Sequence, residues 1–398
     1  MKFENLPDKW EIKKMPQVVK WGSGGTHKAT EKRYNEGGTI PWLIIGDLND
    51  GIVTSSASKI TELGLQNSSA KMIPAGTLLV AMYGSIGKLG ITGIECCTNQ
   101  AIAYAKELHG VTTKYMFYFM ALIKSDLISK GKGDTQKNIS QTVLNSLDVV
   151  VPPLSEQERI VSRIEELFSQ LDAGVETLKK IKAQLAIYRQ AVLKEAFSSC
   201  AEKMPIRKMS SIVTSGSRGW AAFYSDKGAR FIRITDLTRI GINLKNDCIQ
   251  RVLLPEKTEG KRSRLISGDV LVSITADLGS IALIPDNIGE AYINQHIAMI
   301  RFNNPAQGKF MAWYLRSEWG QKDLLKNKRG GGKLGLGLDD IRDTPVPVVC
   351  NEEANRILSF IESRLSVCDN IEQTVDAALQ QADAMRQSIL KDAFEGRL

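Results

Sequence analysis

The chain has 398 residues, 52 Lys and Arg against 44 Asp and Glu, a net charge of +8 and 43% hydrophobic content. That length predicts two or three domains, each with its own core, and the ordinary composition excludes a low-complexity or fibrous chain. No apolar run approaches the roughly 18 residues of a membrane span, and the polar start Met1–Trp10 lacks a signal-peptide core. Six scattered cysteines without CxxC spacing read as reduced thiols, so a cytoplasmic protein with no membrane partner is expected.

From the N-terminus, residues 1–150 predict a strand-rich α/β unit. Ile40–Leu48 is a strand-like run closing on an acid, and Ile73–Ala81 is a turn followed by a strand. A glycine-containing loop follows, Tyr83-Gly-Ser-Ile-Gly-Lys88, and Thr98-Asn-Gln-Ala101 leads into another strand. After a short helix over 114–124 comes the polar loop Gly131–Asn138, then a strand stopped by prolines at Val149–Pro153.

The next segment, Glu156–Phe197, predicts a long helix. Its apolar residues fall in a strict heptad: Ile160, Ile164, Leu167, Leu171, Gly174, Leu178, Ile181, Leu185, Tyr188 and Val192. If wholly helical, its 42 residues span roughly 60 Å. The polar stretch 198–205 ends this pattern and begins a second unit.

Residues 201–350 repeat the first unit faintly. Ala229–Leu237 parallels Ile40–Leu48, Ile266–Ile274 parallels Ile73–Ala81, and Thr275–Ser280 parallels Tyr83–Lys88. Ile293-Asn-Gln-His296 parallels Thr98–Ala101, a helix is expected over 308–317, and the basic loop Lys326–Lys333 parallels 131–138. The strand Pro345–Pro347 closes the unit.

The last segment returns to the helix. Glu353–Phe394 aligns with Glu156–Phe197 without a gap at an offset of 197 residues and shares 16 of 42 positions. Its heptad runs Ile357, Ile361, Arg364, Cys368, Ile371, Val375, Ala378, Ala382, Met385 and Ile389. Small residues here face bulky ones in the first seam, so the two helices are expected to pair as an antiparallel coiled coil. Repeats of this length are read before any single motif. The expected fold is therefore α/β: two strand-rich units, 1–150 and 201–350, alternating with helical spacers, 151–200 and 351–398, in a pseudo-two-fold internal repeat.

Charge is segregated on this plan. Residues 1–155 hold 17 basic against 13 acidic side chains and 198–350 hold 23 against 15, whereas 156–197 is balanced and 351–394 is acidic, four against eight. Excess positive charge on the units suits a polyphosphate partner.

The pattern resembles the specificity subunit of Type I restriction–modification systems. Pro152-Pro-Leu-Ser-Glu-Gln-Glu-Arg-Ile160 with Arg189–Phe197, and Arg386-Gln-Ser-Ile-Leu-Lys-Asp-Ala-Phe394, carry the resemblance, as does Leu6–Trp10. The second pre-helix motif is degraded, Val346–Ala354 lacking the double proline and the Glu-Gln. The resemblance implies two target-recognition domains, each reading half of a split, asymmetric double-stranded DNA site. The helices would set the spacing and dock two methyltransferase (modification) subunits. It further implies S-adenosylmethionine in those subunits, and ATP and Mg in added restriction/translocase subunits. No cofactor or metal is expected in this chain itself.

Intrinsic catalysis is not expected, because no glycine-rich cofactor loop, base-flipping Asn/Asp-Pro-Pro-aromatic loop or P-loop is present. The histidines His27, His109 and His296 have no companion motif. The alternative is a helical protein-binding scaffold without sequence-specific DNA binding, which salt-sensitive DNA affinity would separate from the first reading. DNA-contact candidates are loop residues of the types that reach phosphates and base edges. In the first unit these are Lys28, Lys32, Arg33, Ser85, Lys88, Lys132, Gln136 and Lys137. In the second they are Arg218, Lys227, Arg230, Arg233, Lys261, Arg262, Arg264, Lys328, Arg329 and Lys333. Asn99-Gln100 and Asn294-Gln295 are open to either adenine contact or a structural role.

Overall fold

The computed structural model describes residues 3, 6–27, 31–133, 137–255, 261–326, 328 and 335–398. The chain divides into two compact units. The first joins Met1–Thr177 to Ala378–Leu398, and the second is Leu178–Ala377. Each therefore combines a strand-rich body with the start of one long helix and the end of the other. No helix among the described residues is long and apolar enough to cross a membrane.

The first body is built on a five-stranded sheet in the order Val19–Ser23, Ile102–Leu108, Leu78–Ala81, Leu89–Thr92, Gly51–Val53. Its central strand, Leu78–Ala81, reads as a continuous apolar run because both faces are covered. Leu78, Val80, Ala103 and Ala105 join one core with Tyr115, Met116 and Phe119 of helix Thr113–Leu122. Their neighbours Leu79, Ala81, Ile102 and Tyr104 join the opposite core with Leu43 and Leu48. Alternation along a strand thus separates two apolar sets.

The second body repeats this with four strands, in the order Ser210–Ser215, Ile297–Phe302, Val270–Ser273, Ile281–Leu283. Val270, Val272, Ala298 and Ile300 face helix Gly308–Arg316, while Leu271, Ile297 and Met299 face the other way.

The runs expected to close on an acid do so through a cap. Strand Ile40–Leu43 gives way to a 3-10 turn at Ile45–Asp47, whose Asp47 carboxylate accepts the Ile44 N–H at 2.8 Å. Strand Ala229–Ile232 is followed by Ile234–Asp236, and Asp236 accepts the Arg233 N–H, also at 2.8 Å. The terminal strands match as well. Glu11–Lys14 pairs antiparallel with Asp148–Val151, and Lys203–Pro205 with Pro345–Pro347.

The long helices are Leu154–Ala196 and Asn351–Phe394. Their first turns lie on their own unit's core. Ile160, Val161 and Ile164 pack in the first, and Ile357, Leu358, Ile361 and Leu365 in the second. In the first unit Arg386 pairs with Asp172, and Arg159 donates to the Leu398 carbonyl at 2.8 Å, so the segments run antiparallel. In the second unit Lys182 reaches Asp376 at 2.6 Å and Arg189 reaches Asp369 at 2.7 Å, in the same antiparallel sense.

The observed seam departs from the expected heptad at five positions. Ile160, Ile164, Leu185, Val192, Cys368, Val375 and Ala382 are buried, and Leu167, Leu171, Leu178, Ile181 and Ile389 half-buried. Tyr188, Ile371 and Met385, expected inside, are 42%, 41% and 46% exposed, and Gly174 and Arg364 are also outside. The residue after each lies deeper: Val175, Leu365, Arg189, Glu372 and Arg386 are buried or half-buried. Three of these five are charged. Their stems cover apolar surface while their heads pair with charges on the other helix, which reading apolar residues alone cannot detect.

Candidate nucleic-acid interface

Both bodies carry a glycine turn at the end of the central strand. In the first, Gly84 and Gly87 have φ of +63° and +73°, and the Gly87 N–H donates to Ala81 O at 3.0 Å. In the second, Ala276 and Gly279 take φ of +59° and +80°, and the Gly279 N–H donates to Ser273 O at 3.0 Å. A side chain at Gly87 would crowd Lys124, and one at Gly279 would meet the Gln321 amide. The residue opening each turn bridges to the following polar loop, Tyr83 to Asn138 and Thr275 to Gly335.

In the first unit this turn walls a cavity of about 500 Å³ whose lining includes Ser85, Lys88, Lys124, Lys137 and Asp50. Three lysines around one hollow make it electropositive. Lys88 donates to the Ile45 carbonyl at 3.4 Å, and Lys124 pairs with Asp50 at 3.1 Å. Lys124 escaped sequence reading because it sits in a helix, Lys124–Ser129, rather than a loop. Lys132 is exposed beside the bridge to Asn138. Lys32 and Arg33 lie apart, exposed on the 3-10 turn Lys32–Tyr34 and paired with Glu36 and Glu31.

In the second unit Arg218 and Arg262 share a cavity of about 550 Å³ with Gln295. Arg230 and Arg233 have another use. Arg230 donates to Lys245 O and Asn246 Oδ1, both at 3.0 Å, and Arg233 to Cys248 O at 3.2 Å, so they pin the 245–248 segment. Burial lowers the pKa of Arg230. Lys227, Arg264 and Lys328 are exposed. Lys28, Gln136, Arg329 and Lys333 lie outside the described residues, as does the side chain of Lys261.

No group of three or more His, Cys, Asp or Glu among the described residues is placed to hold a metal ion. His27 is buried between Tyr34 and Trp42, His109 is exposed near Glu107, and His296 bridges two polar side chains. Burial pushes the Cys96 thiol up to about 12 and Cys97 to about 11, which keeps both protonated at neutral pH.

The helical motifs act at the junctions. Gln157 is 0% exposed, accepts the Thr112 N–H at 2.9 Å and donates to Gly110 O at 2.8 Å and Pro152 O at 2.9 Å. It thereby fastens the helix start to its body. At the far ends, Phe394 packs on Tyr115 and Phe119, and Phe197 on Phe310 and Tyr314. Each helix is thus anchored by its first turns in one body and by its last phenylalanine in the core of the other unit's body.

A family model described as the Type I restriction modification DNA specificity domain matches residues 7–186 and 225–381. The chain belongs to this family. Within the family it is 22% identical to the Type I restriction enzyme EcoBI specificity subunit of Escherichia coli, covering 99% of this chain and 87% of that protein. The fold is similar to a chain solved in work on complex assembly and conformational transition of the type I R-M system, with TM-score 0.76 and 16% identity over 99% of this chain and all of the other. It also resembles the HsdS subunit from Thermoanaerobacter tengcongensis, with TM-score 0.53 and 17% identity over 99% and 98% of the two chains. The match takes in the whole lining of the first cavity and, of the second, Arg262 and Gln295.

Proposed function

We infer that this chain is the non-catalytic DNA-specificity subunit of a Type I restriction–modification complex. The body in residues 1–150 reads one half of a split, asymmetric double-stranded DNA site, and that in 201–350 reads the other. The helical stretches 151–200 and 351–398 set the distance between them and dock two modification subunits. S-adenosylmethionine binds in those subunits, and restriction subunits add ATP- and Mg-dependent cleavage.

The observation that carries this reading is a reciprocal ion pair. Arg189 with Asp369 and Arg386 with Asp172 are equivalent at both members under the 197-residue offset. A chain that repeats its inter-helix contacts while varying its basic loops supplies one pseudo-two-fold frame for two different readers. Two unlike readers suit a site without a palindrome, which a symmetric homodimer does not. A fixed helical spacer makes the unread gap part of the recognised sequence, because both faces must meet the duplex in phase.

The test is expression with modification subunits in a host lacking adenine methylation, followed by sequencing of the methylated bases. The expected result is one two-part sequence with a constant gap, absent when this chain is omitted. An uninterrupted site, or methylation indifferent to the chain, would contradict it. DNA affinity falling steeply with salt separates this function from a scaffold that binds only proteins.

A further inference from the structure

Each body places Asn-Gln after its short parallel strand, and the structure separates the two residues. The Asn99 side chain accepts the Ala101 N–H at 3.1 Å, and Asn294 accepts the His296 N–H at the same distance. Their backbone N–H groups donate to Leu43 O and Ile232 O across the parallel pairing. Both asparagines are committed to the turn. The glutamines are not.

Gln295 is half-buried, and its Nε2 lies 2.8 Å from His296 Nε2. His296 Nδ1 lies 2.7 Å from Thr275 Oγ1. A neutral ring protonated on Nδ1 satisfies both contacts: it donates to Thr275 and accepts one amide N–H from Gln295. The amide keeps its second N–H and its Oε1, which has no partner among the described residues. It lines the cavity of about 550 Å³ together with Ser217, Arg218 and Arg262. Arg218 and Arg262 are exposed, with no ion pair among the described residues. The cavity wall depends on glycine. A Cβ at Gly216 would strike the Ile293 and Asn294 carbonyl oxygens, and Gly219 has φ of +81°. The loop therefore lies directly against the Asn-Gln turn and holds its cationic residue beside the amide.

We propose that Gln295 is a base-reading residue of the second unit, positioned by His296 and Thr275, with Arg218 and Arg262 on the flanking phosphates. One free N–H and one free carbonyl oxygen on the same planar group match N7 and the N6 amino group of adenine in the major groove. Two cationic side chains around the same hollow neutralise the backbone that must approach with that base. This inference rests on the DNA-reading function above. The first unit holds its equivalent differently: Gln100 contacts the Thr26 hydroxyl, and Ala101 replaces the histidine.

The test uses the complex assembled with its modification subunits, with methylated sites sequenced for Gln295→Ala, Gln295→Glu and His296→Ala. In Gln295→Ala, discrimination for one A·T pair of one half-site should fall by about 10- to 100-fold. The other half-site and the gap should stay as in the wild type. Gln295→Glu, which offers only acceptors, should move that position toward cytosine, whose N4 amino group donates. His296→Ala should relax the same base pair by a smaller factor, a change in selectivity that mere loss of stability would not produce. Unchanged selectivity in both Gln295 variants, or loss of selectivity in both half-sites, overturns the proposal. If Gln295→Ala fails to assemble, the Gln295→Glu preference decides. A wild-type complex that methylates no two-part site would instead overturn the functional reading.

Discussion

The first unit ties its long helix to its body with an amide on the helix, and the second with an amide on the body. Gln157 reaches from the first helix to Gly110, Thr112 and Pro152. The residue 197 positions later is Ala354, buried in an apolar cluster. There Gln307, in the 3-10 turn Pro305–Gln307 before helix Gly308–Arg316, reaches toward the helix start, to Val349 O at 3.3 Å and Asn351 Oδ1 at 3.4 Å. The same junction is closed from opposite sides. What the two units share is the place where a polar tie is needed, not the residue that supplies it. The degraded second motif is therefore a relocated contact.

The phenylalanine plugs test this equivalence most severely. Phe394→Ala and Phe197→Ala should each cost about 3–5 kcal/mol. The effect of Phe394→Ala, four residues from the C-terminus, should fall on the N-terminal body. Hydrogen exchange should rise across 3–177 and stay unchanged in 200–350, with the reverse for Phe197→Ala. Exchange that rose equally in both units would deny the assignment of each plug to one core.

The junction amides come next. Gln157→Ala removes the partner of three backbone groups, one of them the buried Pro152 carbonyl, and should cost about 1–3 kcal/mol. Ala354→Gln should also destabilise, by about 1–3 kcal/mol, because its amide enters an apolar cluster. Gln307→Ala, at the more exposed tie, should cost under about 1 kcal/mol, as measured by urea unfolding. Equal costs for Gln157→Ala and Gln307→Ala would mean that the two ties differ in more than position.

The reciprocal ion pairs should differ the least. Arg189 is 7% exposed and faces both Asp369 and Glu372, whereas Arg386 is half-buried, pairs with Asp172 and lies over the Phe168 ring at 4.9 Å. Arg189→Met should cost about 1–2 kcal/mol and Arg386→Met under about 1 kcal/mol, because Asp369 and Asp172 are exposed and Glu372 keeps Lys182 as a partner. A double-mutant cycle on Arg386 and Asp172 should return a coupling of a few tenths of a kcal/mol. A coupling of zero would remove that pair from the frame.

The helices were legible in the sequence because their repeat is ungapped and their periodicity runs over six heptads. The seam positions that depart from the heptad were not, because Arg189, Glu372 and Arg386 are charged, and only their partners on the other helix explain why they lie inside. The glycine turns were visible as motifs, since Gly84, Gly87 and Gly279 occupy φ values that other residues resist. What they enclose was not visible. Lys124 joins the first cavity from a helix, and Arg230 and Arg233 leave the candidate surface to hold a neighbouring segment. Asn294 and Gln295 are adjacent and chemically alike, and only the direction of each side chain separates a turn cap from a free amide.

Under the proposed function the helix pair sets the spacing between two readers. This is tested most directly by inserting one heptad into the first helix after Gly174 and another at the facing level of the second, after Ala384. The matched insertion keeps every ion pair on both sides in register and lengthens the pair by roughly 10 Å. The methylated site should keep both half-sequences and change the length of its unread gap, by at most the roughly three base pairs that this rise spans. A gap of unchanged length, or an altered half-sequence, would contradict the account.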